Sequence, residues 1–277
     1  MSSHFREIRI ETWTDFRDQL ETDEFRSWAF RGTADASWPM YSSLSRYLMW
    51  YGVHRDVWSR QEQRIVRIFR RKSHLFLESP PAEDDTFEWL ALMQHHGAPT
   101  RLLDFTWSPY VAAFFALERT RTDAAVWAIC PPLLSEQSIQ IAEDGQPIEL
   151  ERIGPRKIGN YEEYFIPNRH PVVVIGEPQR MNQRLIAQSG TFVMPGVLDV
   201  PVEEIVSKQG GENAIVKFTL ATKSLRTTAM RDLYQMNITN ATLFPDLDGL
   251  ARSLAYELEF HWAYDPLTNR PFPSFRE

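Results

Sequence analysis

The sequence predicts an α+β protein: a mixed β-sheet core with a helical insertion after its first strand. Three observations predict it. Short runs rich in β-branched and apolar residues, bounded by turn formers, stand at residues 126–129, 172–175, 185–193 and 214–220. Two stretches with helical spacing, 56–72 and 86–95, separate an apolar segment at 29–31 from an alternating segment at 100–106. Strands and helices therefore interleave irregularly, unlike a regular βαβ pattern with a parallel sheet.

The first strand, at 29–31, is closed by Gly32. In 56–72, Val57, Trp58, Ile65, Ile68 and Phe69 fall in one apolar sector, and Arg60, Arg64, Arg67 and Arg71 line up roughly 120° from its centre. The helix at 86–95 turns Phe87, Leu90 and Ala91 inward and stops at Gly97 and Pro99. Residues 100–106 alternate, with Arg101, Leu103 and Phe105 on one face and Thr100, Leu102, Asp104 and Thr106 on the other. Ser108 is a good N-cap and Pro109 a good first residue, so a helix starts there with Ala112, Phe115 and Ala116 inward. The breakers between 131 and 171, among them Pro131, Pro132, Gly145, Pro147, Gly154 and Pro155, predict a long irregular excursion. Two helices close the chain: 224–236, and one after Pro245 with Leu247, Leu250, Ala251, Leu254 and Leu258 as its buried stripe.

With 277 residues, 43% of them hydrophobic, the chain can bury a substantial core, and neither a repeat nor a Gly/Ser-rich or Pro-rich linker divides it. The reading is one domain over 25–260, with 1–24 as an N-terminal extension and 261–277 as a tail. The single cysteine, Cys130, excludes an internal disulfide framework and suits a reducing compartment. Residues 1–10 carry frequent charges, and no apolar run approaches the roughly eighteen residues of a membrane span, so a cytoplasmic protein without membrane contact is expected. A net charge of −7 repels polyanions and leaves nucleic acid only the local basic face of Arg60, Arg64, Arg67 and Arg71, whose plainer reading is a solvated face with arginine stems covering apolar surface.

Two constellations carry chemistry. In Trp28-Ala29-Phe30-Arg31-Gly32-Thr33 an arginine precedes a glycine at a strand end. Its planar fork of donors suits a phosphate or a planar amide, and the glycine lets a ligand approach the main chain. The plainer alternative is a turn with Arg31 on a surface carboxylate. In Gln94-His95-His96-Gly97-Ala98-Pro99-Thr100-Arg101-Leu102-Leu103-Asp104-Phe105-Thr106-Trp107-Ser108-Pro109, ionisable and hydrogen-bonding side chains crowd a helix end, a strand and a helix start. The new helix start offers an anion site beside Thr100, Asp104 and Thr106. The alternative makes Asp104 a satisfied carboxylate paired with Arg101 or a backbone amide, and Thr106 and Ser108 simple caps. Neighbouring His95 and His96 point apart and give no zinc-ligand spacing, so no metal is expected.

The segments Phe30-Arg31-Gly32, Ser43-Leu44-Ser45-Arg46, Gln94 through Thr106, and Leu243-Phe244-Pro245-Asp246-Leu247-Asp248-Gly249-Leu250 resemble the hallmark segments of the FRG-domain family, named for its Phe/Tyr-Arg-Gly. The resemblance spans about residues 25–260. More distantly, the chain is similar to the ADP-ribosyltransferase superfamily. Members of that superfamily open with a strand carrying Arg-Gly or His-Gly, place a Ser/Thr-containing strand before a helix of the form Val-Ala-x-x-Phe-Ala, and end with a glutamate on a later strand. Here Arg31-Gly32-Thr33, Thr106-Trp107-Ser108 and Val111-Ala112-Ala113-Phe114-Phe115-Ala116 occur in that order. This resemblance implies a mixed sheet of the transferase kind and NAD as substrate or ligand. It implies that Gly32 takes the nicotinamide amide through its backbone, that Arg31 meets the ribose or phosphates, and that Ser108 supports the strand. Taken with the two constellations, Arg31, Asp104 and Gln188 are the expected catalytic set, and Gly32, Thr33, Arg46, His96, Thr100, Arg101, Thr106 and Ser108 the expected ligand contacts.

One departure matters. In Arg184-Leu185-Ile186-Ala187-Gln188-Ser189-Gly190, Gln188 matches the position of the transferase glutamate, and an amide binds a ribose hydroxyl without supplying the negative charge that a developing cation needs. Asp104 or Glu177 would then have to supply it, unless Gln188 only ties strands together. Three functions follow as expectations. The first is an NAD-dependent ADP-ribosyltransferase or glycohydrolase with a protein or nucleic-acid acceptor. The second is a nucleotide sensor or effector without chemistry, and the third a scaffold using the arginine face.

Overall fold

The computed structural model describes residues 5–135, 139–140, 147–148, 150–260, 264–266 and 268–271. Its strands are β1 (Arg6–Ile10), β2 (Ala29–Thr33), β3 (Leu103–Thr106), β4 (Ala124–Ile129), β5 (Ile139–Gln140), β6 (Pro147–Ile148), β7 (Val173–Gly176), β8 (Gly190–Pro195), β9 (Ile215–Leu220), β10 (Tyr264–Asp265) and β11 (Arg270–Pro271). Seven of them form one mixed sheet in the order β1-β9-β4-β2-β3-β8-β7, and β5–β6 and β10–β11 are small ribbons. In the main sheet β1 runs parallel to β9, and every other neighbouring pair is antiparallel.

Three helices, α1 (Trp13–Leu20), α2 (Ser43–Trp50) and α3 (Trp58–Ser73), precede α4 (Thr86–His95) and α5 (Pro109–Leu117). Then come α6 (Pro131–Ser135), α7 (Gln183–Ala187), α8 (Val202–Gly210), α9 (Thr222–Gln235), α10 (Asn240–Leu243) and α11 (Leu247–Ser253). The helical insertion after the Arg31 strand is α2 to α4. No helix among the described residues is long and apolar enough to cross a membrane.

Strand register assigns the faces of the sheet. Phe30, Ala128 and Val216 are paired across β2, β4 and β9 and lie under α1, α5 and α9, where Phe16, Ala112 and Leu233 are buried. The same face continues through Thr106, Gly190 and Phe192 to β7, and there Phe192, Met194 and Val174 lie under α4, with Phe87, Leu90 and Met93. These are two separate apolar clusters, and the seam between them follows β2 and β3. On the opposite face one cluster joins Ala29, Leu103, Trp127, Ile129 and Val193 to α8 without interruption. Burying each such large side chain contributes about 1.5–3 kcal/mol, so the unbroken face spans the seam between the two clusters of the other.

The structure departs from the sequence expectations in four places. The run 185–193 splits into α7 and β8, because Asn182 caps Leu185 N through its side chain (2.8 Å) and Ser189 turns the chain at φ 46°. The strand expected at 100–106 pairs only from Leu103, since Thr100 spends its carbonyl on Leu44 N and its hydroxyl accepts from Leu102 N. On α11 the expected stripe is exposed, Leu247 at 78% and Leu250 at 53%, because this short helix seats Gly249 against Phe244 instead. Residues 6–20, in the stretch set aside as an extension, form β1 and α1 on the sheet. Within the irregular excursion, residues 136–138, 141–146 and 149 lie outside the described residues, as do 261–263, 267 and 272–277 of the tail.

Candidate functional site

Pairing between β2 and β3 is confined to Phe30 and Thr106. Trp107 N donates to Ser189 O (2.9 Å), so the Trp107 main chain faces β8. Main-chain groups alternate along a strand, which turns those of Thr106 and Asp104 toward β2 and, by the same count from Phe30, those of Gly32 toward β3. Beyond the one paired residue the strands diverge. Into that gap Arg31 sends its side chain, and Nη1 donates to the Asp104 carbonyl (2.6 Å).

The gap opens into a cavity of about 210 Å³ on the seam. Phe30, Gly32, Ala112 and Phe115 line it from the β2–α5 side, and Asp104, Thr106, Arg184 and Gln188 from the β3–α7 side, with Arg31 between them. Gly32 is required here for packing: a Cβ would stand 2.0 Å from Ala112 O and 2.6 Å from Ala116 N, so only glycine lets β2 lie directly on α5. Its open main-chain edge is the part left for a ligand. Burial lowers the Arg31 pKa, Asp104 opposes that and Arg46 adds to it; an arginine nonetheless keeps its charge.

A hydrogen-bond relay fixes the carboxylate. Thr100 Oγ1 donates to Gln94 Oε1 (2.7 Å), which orients the amide so that Nε2 donates to Asp104 Oδ2 (2.9 Å). Thr106 Oγ1 donates to Gln188 O (2.6 Å) and accepts from Ser108 N (3.0 Å), tying β3, α7 and α5 at the cavity wall. Gln188 lines the cavity, but its Nε2 donates to Leu243 O (3.0 Å), so the amide also ties α7 to α10.

The structure thus brings Arg31, Gly32, Asp104, Thr106 and Gln188 to one cavity and places the other sequence-derived residues elsewhere. Arg101 is fully buried in a bidentate ion pair with Glu62, with Nε to Oε1 at 2.7 Å, and Nη1 donates to Pro195 O (2.9 Å). It does not pair with Asp104, because its donors are taken by Glu62 and the carbonyls of Pro195 and Gly196. Thr100 acts through Gln94, and Ser108 caps α5 at Val111 N (3.3 Å). Thr33 Oγ1 donates to Ala125 O (3.4 Å), and exposed Arg46 donates to Tyr41 O (3.3 Å). His96 borders a separate apolar groove with Ile65, Phe69 and Phe76. Glu177 accepts from Trp107 Nε1 (2.6 Å) and does not line the cavity. Among the described residues no group of three His, Cys, Asp or Glu could hold a metal ion.

Sequence reasoning missed Arg184, Gln94 and Phe244. Arg184 and Gln188 are four residues apart, which puts them on one face of α7, a relation hidden when the segment is read as a strand. Phe244 carries the Arg184 guanidinium at 4.6 Å and meets Phe115 edge-on at 6.0 Å.

Two of the four segments, Phe30-Arg31-Gly32 and Gln94 through Thr106, line this cavity, and Leu243 and Phe244 of a third hold its lining residues Gln188 and Arg184; residues 26–125 match the family model of the FRG domain. The chain carries an FRG domain. The matched span of the FRG domain contains β2, the helical insertion, β3 and α5, while α7, Leu243 and Phe244 lie beyond it. No curated protein and no solved structure matches the chain.

Proposed function

We propose that the FRG domain binds NAD in the β2–β3 gap and acts on its nicotinamide–ribose bond, by hydrolysis or by transfer of ADP-ribose. The observation that carries this reading is the convergence of Arg31, the open Gly32 main-chain edge and the Asp104 carboxylate at one break in the sheet. The Gly32 edge offers a donor and an acceptor side by side, which matches a planar carboxamide. A space of about 210 Å³ is smaller than the roughly 300–1,000 Å³ of pockets that enclose whole ligands, so it suits one ring, with the remainder of the dinucleotide outside. The strands that carry Arg31-Gly32 and Asp104-Thr106, β2 and β3, are neighbours in the sheet, and Gln188 stands at the end of α7 just ahead of β8, the next strand.

In the proposed reaction the C1′–N bond breaks and its electron pair leaves with the nicotinamide nitrogen. Water, or an acceptor's nucleophilic atom, forms the new bond to C1′ and releases its proton to solvent. The positive charge developing on the ribose is stabilised by Asp104, the carboxylate lining the cavity and held in place by Gln94. Nicotinamide release by wild type, Asp104→Asn and Gln188→Glu tests this, with a thermal-shift check of folding. Turnover lost in Asp104→Asn supports the assignment; turnover unchanged in Asp104→Asn contradicts it. A second reading, a nucleotide sensor without chemistry, is favoured by the Gln188 amide being bonded to the Leu243 carbonyl.

A further inference from the structure

The cavity holds a second guanidinium. Arg184 lines it together with Arg31, and among the described ion pairs none includes Arg184. Phe244 restrains it, its ring centroid 4.6 Å from the guanidinium carbon of Arg184 and 5.5 Å from that of Arg252. Asp104 is the carboxylate among the lining residues, so two fixed positive charges face one negative charge, and that negative charge already accepts from Gln94. An unpaired guanidinium held on an aromatic ring at the rim of a cleft is preorganised for an anion, and two such forks suit the several oxygens of a phosphate.

We infer that Arg31 and Arg184 form a two-arginine clamp for a phosphate group of the ligand, so that the cleft selects phosphorylated nucleotides over nucleosides. Phe244 is the positioning residue of this clamp. The inference rests on the proposed nucleotide reading and deepens it by naming the group that is recognised.

Calorimetry on the full chain with nicotinamide mononucleotide, nicotinamide riboside and inorganic pyrophosphate tests it, using wild type, Arg184→Gln, Arg184→Lys and Phe244→Leu. Wild type is expected to bind the mononucleotide at least about tenfold more tightly than the riboside. Arg184→Gln removes that preference and leaves riboside affinity unchanged, Arg184→Lys restores part of it, and Phe244→Leu weakens the mononucleotide alone. Equal affinity of wild type for the two nicotinamide compounds, or a preference that survives Arg184→Gln in a folded variant, overturns the clamp while leaving the nucleotide cleft standing. Pyrophosphate binding that depends on Arg184, without binding of either nicotinamide compound, supports the clamp and overturns the NAD reading. Failure of wild type to bind both pyrophosphate and the mononucleotide overturns the clamp.

Discussion

Arg31 and Arg101 both stand in hallmark segments of the FRG domain, both beside the same seam, and the structure gives them opposite work. Arg101 is 0% exposed, with Glu62 taking two of its nitrogens and main-chain carbonyls of Pro195 and Gly196 taking a third. Its guanidinium also lies over Tyr161 and Phe165 at 5.6 and 5.9 Å. Arg31 has one described hydrogen-bond partner, the Asp104 carbonyl, and it lines the cavity. An arginine whose charge is matched inside the fold is structure. One whose partner is a neutral carbonyl beside an open space is available for a ligand.

That contrast predicts a gradient of effects. The largest is Arg101→Met, which strands the buried Glu62 carboxylate and is expected to cost about 3–5 kcal/mol in urea unfolding. The double variant Glu62→Leu with Arg101→Met removes both charges and is expected to recover most of it. Gly32→Ala comes next, since its methyl group meets the α5 backbone, at a cost of about 1–3 kcal/mol measured by thermal unfolding. Arg31→Lys is expected to leave stability within about 0.5 kcal/mol while weakening an anionic ligand at least about tenfold, because lysine keeps the charge and loses the fork. Arg67→Ala, on the exposed face of α3, is expected to change neither. Equal losses of ligand in Arg31→Lys and Arg67→Ala would move the site to that face.

The smallest effect concerns pH. Burial lowers the His95 pKa, with His96 and Arg184 adding to it and Asp246 opposing. The unfolded chain therefore takes up this proton first, near about pH 6.5. Stability from this group is fully present above that value and falls as pH drops toward the lower folded pKa. His95→Gln is expected to flatten this slope in urea midpoints measured on either side of about pH 6.5; an unchanged slope would assign it elsewhere.

Much of this was legible in the sequence where the cause is local. The helix at 86–95 matches α4 to the residue, because its stop signals are local: Gly97 adopts φ 76° after it. Ser108 and Pro109 start α5 as their chemistry requires. The alternation of Leu103 and Phe105 against Asp104 and Thr106 placed the polar pair on one face, and both line the cavity, as does Phe105 between them. What was hidden depends on partners distant in the chain. Arg101 meets Glu62 across 39 residues, and the one hint was that Glu62 falls in the buried stripe between Trp58 and Val66. Arg184 was concealed by an apolar run that reads as strand until Asn182 and Ser189 are recognised as its breakers.

The proposed nucleotide site in the β2–β3 gap is centred on Arg31, and calorimetric titration of NAD into wild type and Arg31→Lys is its sharpest test. Saturable binding to wild type is expected, at least about tenfold weaker in Arg31→Lys, with both proteins unfolding at the same urea midpoint. Absence of NAD binding to folded wild type, or equal affinity in the two proteins, would contradict it.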